Sequence, residues 1–380
     1  MKSEAANFGI DIEQDLLTAV TGRSKDVRLG KTISGRDSVA LSVKIDVSEI
    51  REFLPLLLDS YLSEAYKENF DWIDQITEVR DKNKVADLND WLVNSVNDGN
   101  LDKIWMAPPE IIDWVDIRGF KYSRRKTAPI FTDLDAAEFL DELAVEGVTI
   151  ELLKSSTVLA ISARTDEPID HWPAYRCFYA EARIDDSIYV LNNGKWYKIA
   201  AEFCEQVLEY FDNIPNSEIE LPDYNHAGEG EYNDALPGIV PGSHCMDRKL
   251  IRHGGGHSSI EFCDLATNDK KIVHVKRYGG SAQFSHLFNQ GVVSGELFLQ
   301  DEEFRGKLND QLPEAIRLSD TALRPNPTDY EIVFAIISRS ENALEIPFFS
   351  KVGLRNARRR LMGYGYRVSK KKINVAAEGN

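Results

Sequence analysis

One stretch of the chain, residues 258–276, constrains the fold more than any other. It contains two short runs rich in apolar residues, Ser258–Leu265 and Ile272–Lys276, on either side of the polar turn Thr267–Lys270. This pattern predicts a β-hairpin, because strands place successive side chains on opposite faces and polar residues favour the turn between them. The sequence therefore predicts a sheet in the second half of the chain.

Charged residues lie at the ends of this predicted hairpin. Asp264 is near the end of the first strand, and Lys276 ends the second strand on the same face as His274. Burying such groups unpaired costs about 1–3 kcal/mol each. A shared cation and a phosphate would supply partners, because aspartate offers the oxygen ligands that Mg²⁺ prefers and lysine can orient an attacking water. The alternative is an ordinary hairpin whose Asp264 and Lys276 pair with neighbours.

The acid, the turn and a lysine about twelve residues later resemble the PD-(D/E)XK restriction-endonuclease-like superfamily. The resemblance implies that Asp264 and Glu261 are catalytic, metal-binding acids, that Lys276 serves the attacking water, and that Mg²⁺ or Mn²⁺ is the cofactor. In that family an acid stands two residues before the lysine, whereas this chain has His274 there. Glu261 can replace it only if a bulge interrupts the strand, because residues three apart point to opposite faces.

Two helices extend this resemblance. An acid from a helix before the hairpin is common in the family, and Glu231 is the residue predicted for that role as a further metal ligand. The segment Ser281–Phe298 is predicted to be helical, and its His286 and Gln290 would orient the site or the phosphate. The resemblance implies a nuclease acting on DNA or RNA. A non-catalytic nucleic-acid-binding or scaffolding protein with the same fold is the alternative.

A longer pattern resembles an uncharacterised, sporadically distributed bacterial family that is often found near mobile and defence genes. This resemblance implies a role in host defence, in which protein partners or a homo-oligomer are expected, but it implies no particular reaction. The resembling segments are Phe70–Asp74, Ile260–Leu265, His274–Lys276, Ser285–Gly291 and Pro347–Val352.

The C-terminal part of the chain is basic although the whole chain is acidic. Residues 241–380 contain 21 lysines and arginines against 16 acids, a net charge of +5, so the total of −17 leaves −22 for residues 1–240. Arginines at helical spacing and a following lysine run suit a phosphate backbone. A solvated basic tail, or docking of this helix against the acidic first half, are the alternatives. The predicted nucleic-acid-binding residues are Arg355, Arg358, Arg359, Arg360, Lys370, Lys371 and Lys372.

The remaining periodicity predicts an α+β fold. It has a helical N-terminal region, a central antiparallel sheet and a C-terminal restriction-endonuclease-like α/β module. The sheet is indicated by short apolar runs such as Ile150–Leu153 and by the hairpin turn Asn192–Gly194. We predict a mainly helical domain at 1–145, an antiparallel sheet plus helix at 146–212, a proline- and glycine-rich linker or long loop at 213–242, and a nuclease-like domain with a basic C-terminal helix at 243–380.

No apolar run reaches the roughly 18 residues of a membrane span, and Met1–Asn7 has no apolar core typical of a secretion signal. We therefore expect a cytoplasmic protein without a membrane partner. His253 and His257 match no standard zinc spacing, so a glycine-rich turn is the favoured interpretation. Reduced thiols are expected at the four dispersed cysteines, Cys177, Cys204, Cys245 and Cys263.

Overall fold

A computed structural model describes residues 20–23, 26–30, 32–35, 39–65, 74–109, 117–185, 187–226, 228–253, 259–278 and 281–376. Most of the segment Phe70–Asp74 and the glycine-rich run at 254–257 lie outside these residues. The described chain contains ten α-helices and eighteen strands in mixed order, which confirms the predicted α+β class. It forms two compact units, residues 1–77 and 78–380.

The first unit contains a small antiparallel sheet and one long helix. The sheet has the order β1 (Val20–Arg23), β2 (Thr32–Gly35) and β3 (Val39–Leu41). Helix α1 (Ile50–Leu62) agrees with the helical N-terminal region that the sequence predicts. Just before it, the Glu49 carboxylate accepts the backbone N–H of Asp46 at 2.9 Å, a contact that favours the start of a helix.

The first half of the second unit has its own hydrophobic core, made by residues 88–196. Within this unit one sheet contains β11, β10, β9 and β5 in that order, and the other has the order β6-β7-β8. The strands are β4 (Ile76–Glu78), β5 (Ile104–Met106), β6 (Ile117–Lys121), β7 (Thr157–Ser162), β8 (Pro168–Pro173), β9 (Phe178–Ile184), β10 (Ser187–Asn192) and β11 (Lys195–Ile199). The helices are α2 (Lys82–Asn97), α3 (Ala136–Leu143), α4 (Ile150–Ser155) and α5 (Ala174–Cys177).

Two local predictions in this half have different outcomes. The hairpin turn between β10 and β11 is confirmed, with Asn193 at φ 51° and Gly194 at φ 73°, values that asparagine and glycine tolerate. The strand predicted over Ile150–Leu153 is wrong, because this segment is helix α4. The Thr149 hydroxyl caps it by accepting the N–H of Leu152 at 3.2 Å, and a short apolar run alone does not distinguish a helix from a strand.

The second half of the second unit is built on a mixed sheet in the order β12-β15-β16-β17-β18. The first pairings are antiparallel, whereas β16, β17 and β18 are parallel and need helical crossovers. The strands are β12 (Ser243–Cys245), β13 (Leu250–Arg252), β14 (Ser259–Glu261), β15 (Leu265–Thr267), β16 (Lys271–Arg277), β17 (Glu331–Ser338) and β18 (Arg367–Asn374). The helices are α6 (Ala201–Asp212), α7 (Glu229–Ile239), α8 (Ser281–Gln300), α9 (Glu302–Gln311) and α10 (Phe348–Tyr364).

Residues 213–242 differ from the predicted linker or loop. The backbone N–H of Ser217 donates to Lys370 in β18 at 2.8 Å, and that of Tyr224 donates to Asn374 at 2.7 Å. Helix α7 then follows and buries Tyr232 against the sheet. Proline and glycine content indicated a loop, but the apolar spacing within α7 lets the segment cover one face of the sheet.

The cysteines and the helices bear on two further predictions. All four cysteines are thiols, and Cys177, Cys204 and Cys263 are buried. None of the helices in the described ranges has both the length and the apolar character that crossing a bilayer requires.

Candidate metal centre

The strand predicted over Ser258–Leu265 is broken into two strands, and this break creates the candidate site. Strand β14 ends at Glu261 and pairs with β13, whereas β15 starts at Leu265 and pairs with β12 and β16. In one regular strand, Glu261 and Asp264 would point to opposite faces. The break removes this restriction, so it supplies the irregularity that the sequence analysis required.

Three carboxylates converge at the break. One oxygen of each of Asp247, Glu261 and Asp264 lies within 4.8 Å of the others, and we call these residues the acidic triad. Asp264 is buried, and the other two are half-buried. Asp247 was missed in the sequence. It reaches the site because the backbone N–H groups of Met246 and Asp247 donate to the carbonyl of Asp264 at 2.8 and 3.1 Å.

Hydrogen bonds from three elements orient the triad. The Asp264 carboxylate accepts the backbone N–H of Val275 at 2.7 Å and, from α7, the side-chain amide of Asn233 at 3.4 Å. The Glu261 carboxylate accepts the backbone N–H of Arg248 and, from α8, the amide of Gln290 at 2.9 Å. The structure thus places Gln290 at the site, as the sequence predicted.

The predicted His286 lies one turn before Gln290 on α8. His286 is exposed to solvent, whereas Gln290 is half-buried. A side chain in this position can meet a ligand that approaches from solvent. Its predicted role in orienting a phosphate stays a prediction.

Burial makes the charged state of the triad unfavourable. Burial, together with the charge of the nearby Asp247 carboxylate, raises the pKa of Glu261 to about 7 against the opposing hydrogen bond from the Arg248 N–H. Burial, followed by the charge of Glu261, raises the pKa of Asp264 well above its usual range. Like charges that are close together in a poorly solvated place favour either a bound proton or a bound cation.

The triad fits a hard divalent cation. All three side chains offer oxygen ligands, which Mg²⁺ and Mn²⁺ prefer. No donor from the described residues reaches the side-chain carbonyl oxygen of the buried Asn233, which is 2% exposed, so the wall of the site holds one more unused oxygen. The acidic triad could therefore hold a metal ion.

Lys276 lies beside the triad and is held by acids. Its ammonium is 2.8 Å from the Glu229 carboxylate at the start of α7, and each side chain is 25% exposed. Burial lowers the pKa of Lys276, but the Glu229 carboxylate outweighs that effect and the pKa is raised overall. Asp133, from the loop before α3, adds to this, and burial raises its own pKa to about 6 against the charge of Lys276.

The helix before the hairpin contributes a different acid from the one predicted. Glu231 is exposed and is not a member of the triad. Glu229 instead reaches Lys276, because it lies three residues before the buried Tyr232 and four before Asn233, on the side of α7 that faces the sheet. Helical phase relative to Tyr232 is the signal that could have identified Glu229.

His274 occupies the position where the superfamily pattern has an acid. It is fully buried, neither ring nitrogen has a hydrogen-bond partner among the described residues, and its ring stacks on Phe334 with 5.9 Å between centroids. Burial lowers its pKa to about 3, so it stays neutral. His274 is a core residue that helps α8 pack on the sheet beside Gly291.

A family model spans almost the whole of this chain, matching residues 1–374. The chain belongs to DUF6119, a family of unknown function. No curated protein and no solved structure matches it. Membership of DUF6119 brings no established activity, so the chemistry of the site has to carry the functional argument.

Three residues of the basic run in this DUF6119 member pack inside the protein. Arg355 is 4% exposed and its guanidinium lies 5.3 Å from the centre of the Phe203 ring in α6. Arg358 donates to the Tyr210 hydroxyl at 3.0 Å. Lys370 is 6% exposed, and its ammonium lies 4.0 Å from the centre of the Phe211 ring. Helix α10 thus docks on α6, which belongs to the acidic first 240 residues.

Of the other four residues of the run, Arg359 and Arg360 are exposed, and Lys371 and Lys372 are half-buried, as Arg358 is. Arg359 lies 5.5 Å from the centre of the Tyr210 ring, and Arg360 lies 3.6 Å from a Glu296 carboxylate oxygen. Lys371 and Lys372 donate to the backbone carbonyls of Ser217 and Ser340, at 3.4 and 2.5 Å. Nucleic-acid binding by this run stays a prediction, and the contacts of Arg355, Arg358 and Lys370 indicate packing.

Proposed function

We propose that the protein is a metal-dependent nuclease, or a nuclease-derived effector, that acts on DNA or RNA in bacterial anti-phage defence. The observation that supports this most is the convergence of the acidic triad next to Lys276. Carboxylates that hold a divalent cation beside a fixed ammonium suit the hydrolysis of a phosphodiester, because negative charge grows on the phosphate during the reaction.

The triad would hold Mg²⁺ or Mn²⁺ through Asp247, Glu261 and Asp264. When bound, such an ion supplies Lewis-acid activation of the phosphate and of water. Gln290 keeps the Glu261 carboxylate in position through its hydrogen bond, the role that outer partners of metal ligands generally have.

Lys276 would orient the attacking water and offset the charge that grows on the phosphate. Its raised pKa keeps it protonated at neutral pH, so it acts as a cation and a hydrogen-bond donor. Glu229 and Asp133 flank the ammonium and restrict where it can point.

The defence context is supported by the sequence alone. The segments that resemble the sporadically distributed bacterial family include Ile260–Leu265 and His274–Lys276, which carry the candidate site. This context makes a nucleic acid of an invading phage a reasonable substrate for the proposed activity.

A non-catalytic nucleic-acid-binding or scaffolding protein is the second candidate, and His274 favours it. The neutral, buried His274 cannot replace an acid as a metal ligand without breaking the packing against Phe334. A protein that only binds nucleic acid would still lose affinity steeply as the salt concentration rises, whereas a scaffold that contacts only proteins would bind none.

A nuclease assay on the purified full-length chain tests the proposal. Labelled duplex and single-stranded DNA and RNA are incubated with Mg²⁺, Mn²⁺ or EDTA. Lys276→Ala should abolish metal-dependent cleavage while the circular dichroism spectrum stays native. The control is Lys270→Ala. Lys270 lies at the other end of β16, and its ammonium is 2.9 Å from the Asp329 carboxylate. Cleavage by Lys276→Ala at the normal rate would contradict the proposal.

A further inference from the structure

The carboxyl ends of the parallel strands β16 and β17 meet at one edge of the sheet. Arg277, the last residue of β16, pairs with Ile337 of β17, and Arg339 follows two residues later. At the same edge, Tyr224 pairs with Val375 just after β18. Ligands of sheets with parallel strands bind at this edge, where the strands end and side chains from several elements meet.

Arg277 and Arg339 continue one face of the sheet. Val273 and Val275 lie two residues apart in β16, so their side chains point to the same face of the sheet. Ile337 of β17 points to that face too, because all three residues belong to the hydrophobic cluster that α7 covers. The alternation of strands therefore places Arg277, and Arg339 after it, at the rim of that cluster. Tyr224 belongs to the same cluster.

Polar groups at this rim lack acceptors. Within the described residues, the guanidinium groups of Arg277 and Arg339 have no hydrogen bond and no ion pair. The Tyr224 hydroxyl and the Nδ1 atom of His226 are also buried without a partner, and Tyr224 is 5% exposed. Burial raises the pKa of Tyr224, and the charges of both arginines oppose this, which agrees with their proximity.

Acids near the rim do not neutralise the arginines by direct contact. Asp133 and Glu138 experience the charge of Arg277, but neither has a carboxylate oxygen within ion-pair distance of it. Glu229 is paired with Lys276. As far as the described part of the chain shows, two guanidinium groups and a buried hydroxyl thus remain for an acceptor from solution, and guanidinium geometry matches the paired oxygens of a phosphate.

We propose that Arg277, Arg339 and Tyr224 bind a backbone phosphate of a nucleic acid. Arg277 is next to Lys276 in β16 although its side chain lies on the other face, and Asp133 experiences the charges of both residues. The phosphate site therefore lies near the lysine beside the acidic triad and would hold the nucleic-acid strand close to it. The identity of the ligand rests on the proposed nuclease function. The phosphate site itself needs no metal ion, and this difference allows the two proposals to be tested separately.

Fluorescence anisotropy of the full-length protein in EDTA tests the phosphate site. The probes are short fluorescein-labelled single-stranded and duplex DNA and single-stranded RNA. The double variant Arg277→Gln/Arg339→Gln should bind its best probe about 100-fold more weakly and lower the slope of log affinity against log salt concentration by about 1.5–2, as expected for two lost phosphate contacts.

A matched control removes two other arginine charges, which lie at the opposite edge of the sheet. Arg367 begins β18 and Arg324 precedes β17, and both residues are exposed. Arg324→Gln/Arg367→Gln should change affinity by no more than about twofold, because these residues share only the long-range field. An equal loss in both double variants would show a general charge effect and overturn the proposal.

Tyr224→Phe separates binding from packing. Removing a buried hydroxyl that has no partner should leave thermal stability unchanged or higher, while the loss of one hydrogen bond to the phosphate weakens binding about five- to tenfold. Lower stability with unchanged affinity would overturn the assignment of Tyr224.

The outcomes distinguish this site from the proposed nuclease function. Binding that depends on Arg277 and Arg339, without any cleavage in Mg²⁺ or Mn²⁺, would support the phosphate site and refute the nuclease. Metal-dependent cleavage with binding that ignores both arginines would refute the phosphate site alone. Absence of binding to every probe by the wild-type protein would also overturn it.

Discussion

The two ends of the β15–β16 hairpin treat their carboxylates in opposite ways. At the turn, Asp269 accepts the Thr267 hydroxyl at 2.5 Å and pairs with Lys271. Burial raises the pKa of Asp269, but these two contacts outweigh it and the pKa is lowered overall. At the open end, Asp264 lies among other acids, and burial and the Glu261 charge raise its pKa.

Two aspartates only five residues apart therefore have pKa values that are shifted in opposite directions. A buried carboxylate such as Asp264 usually needs a cation or several donors, whereas Asp269 at the turn end is paired with Lys271 although its side chain is 61% exposed. The open end brings Asp247 and Glu261 next to Asp264, and the ammonium of the neighbouring Lys276 lies against Glu229. Groups with strongly raised pKa values in such surroundings are typical of functional sites.

Replacing each aspartate in turn should give the largest contrast. Asp264→Asn should reduce metal-dependent cleavage by about 1,000-fold or more, the scale of losing one preorganised electrostatic group. Asp269→Asn should stay within about threefold of the wild-type rate, because it lies outside the triad. Initial cleavage rates in Mn²⁺ measure both, and equal rates for the two variants would remove the distinction between the ends.

The two ends should also respond to pH with opposite signs. The pKa of Glu261 is raised to about 7, so its stabilising proton is present at low pH and is lost as the pH rises through 7. Without metal, Glu261→Gln should therefore raise the free energy of unfolding more at about pH 8 than at about pH 5. The difference between the two effects should be on the order of 3 kcal/mol. Urea unfolding in EDTA measures this difference.

Asp269→Asn supplies the opposite case. The lowered pKa of Asp269 contributes stability above its unfolded pKa, and this contribution is lost as the pH falls. Asp269→Asn should therefore destabilise the protein at about pH 8 and become less harmful in acid. If both variants shift stability in the same direction at that pH, the electrostatic contrast between the ends is incorrect.

Gln290 sharpens the contrast because it supports only the open end. Gln290→Ala removes the amide that holds Glu261, and Mn²⁺ affinity should fall by about 10- to 100-fold, as for other outer partners of metal ligands. Gln300→Ala, an exposed residue at the end of the same helix, should leave the affinity unchanged. Isothermal titration with Mn²⁺ distinguishes the two, and a weak effect of Gln290→Ala would show that Glu261 needs no support.

The approach of α8 to the sheet gives the smallest expected effect. A Cβ atom at Gly291 would lie 2.7 Å from the Phe334 ring, whereas one at Gly306 would meet nothing within 4 Å. Gly291→Ala should destabilise by about 1–2 kcal/mol, and Gly306→Ala should stabilise by about 0.5–1 kcal/mol, because alanine favours helices. Thermal unfolding checks both, and a stabilising Gly291→Ala would contradict the packing described.

Strand phase in the sequence predicted where the polar residues gather but not how they are joined. In the structure Asp264 and Lys276 lie at the same end of the hairpin, because Asp264 precedes β15 and does not end the first strand as the sequence predicted. Asp247 could not be predicted, because two backbone hydrogen bonds to the Asp264 carbonyl bring it there and no local pattern encodes them. Glu229 was missed for a simpler reason, since the helical phase of Tyr232 was not applied to the acids before it.

Spacing of charges predicted less than spacing of apolar residues. Apolar residues at helical spacing correctly located α8, predicted over Ser281–Phe298 and observed over Ser281–Gln300, because burial of one face requires that spacing. The arginines of α10 show the same regularity, yet Arg355 and Arg358 contact aromatic rings of α6. A guanidinium suits a ring or a phosphate equally well, so only tertiary contacts decide between them.

Mn²⁺ binding at the open end of the hairpin tests the central claim most directly. Electron paramagnetic resonance of Mn²⁺ titrated into the protein counts bound ions without any need for activity. We expect about one ion per chain in the wild type and in Asp269→Asn, and none of comparable affinity in Asp264→Asn. Equal Mn²⁺ binding by Asp264→Asn, or none by the wild-type protein, would contradict the account.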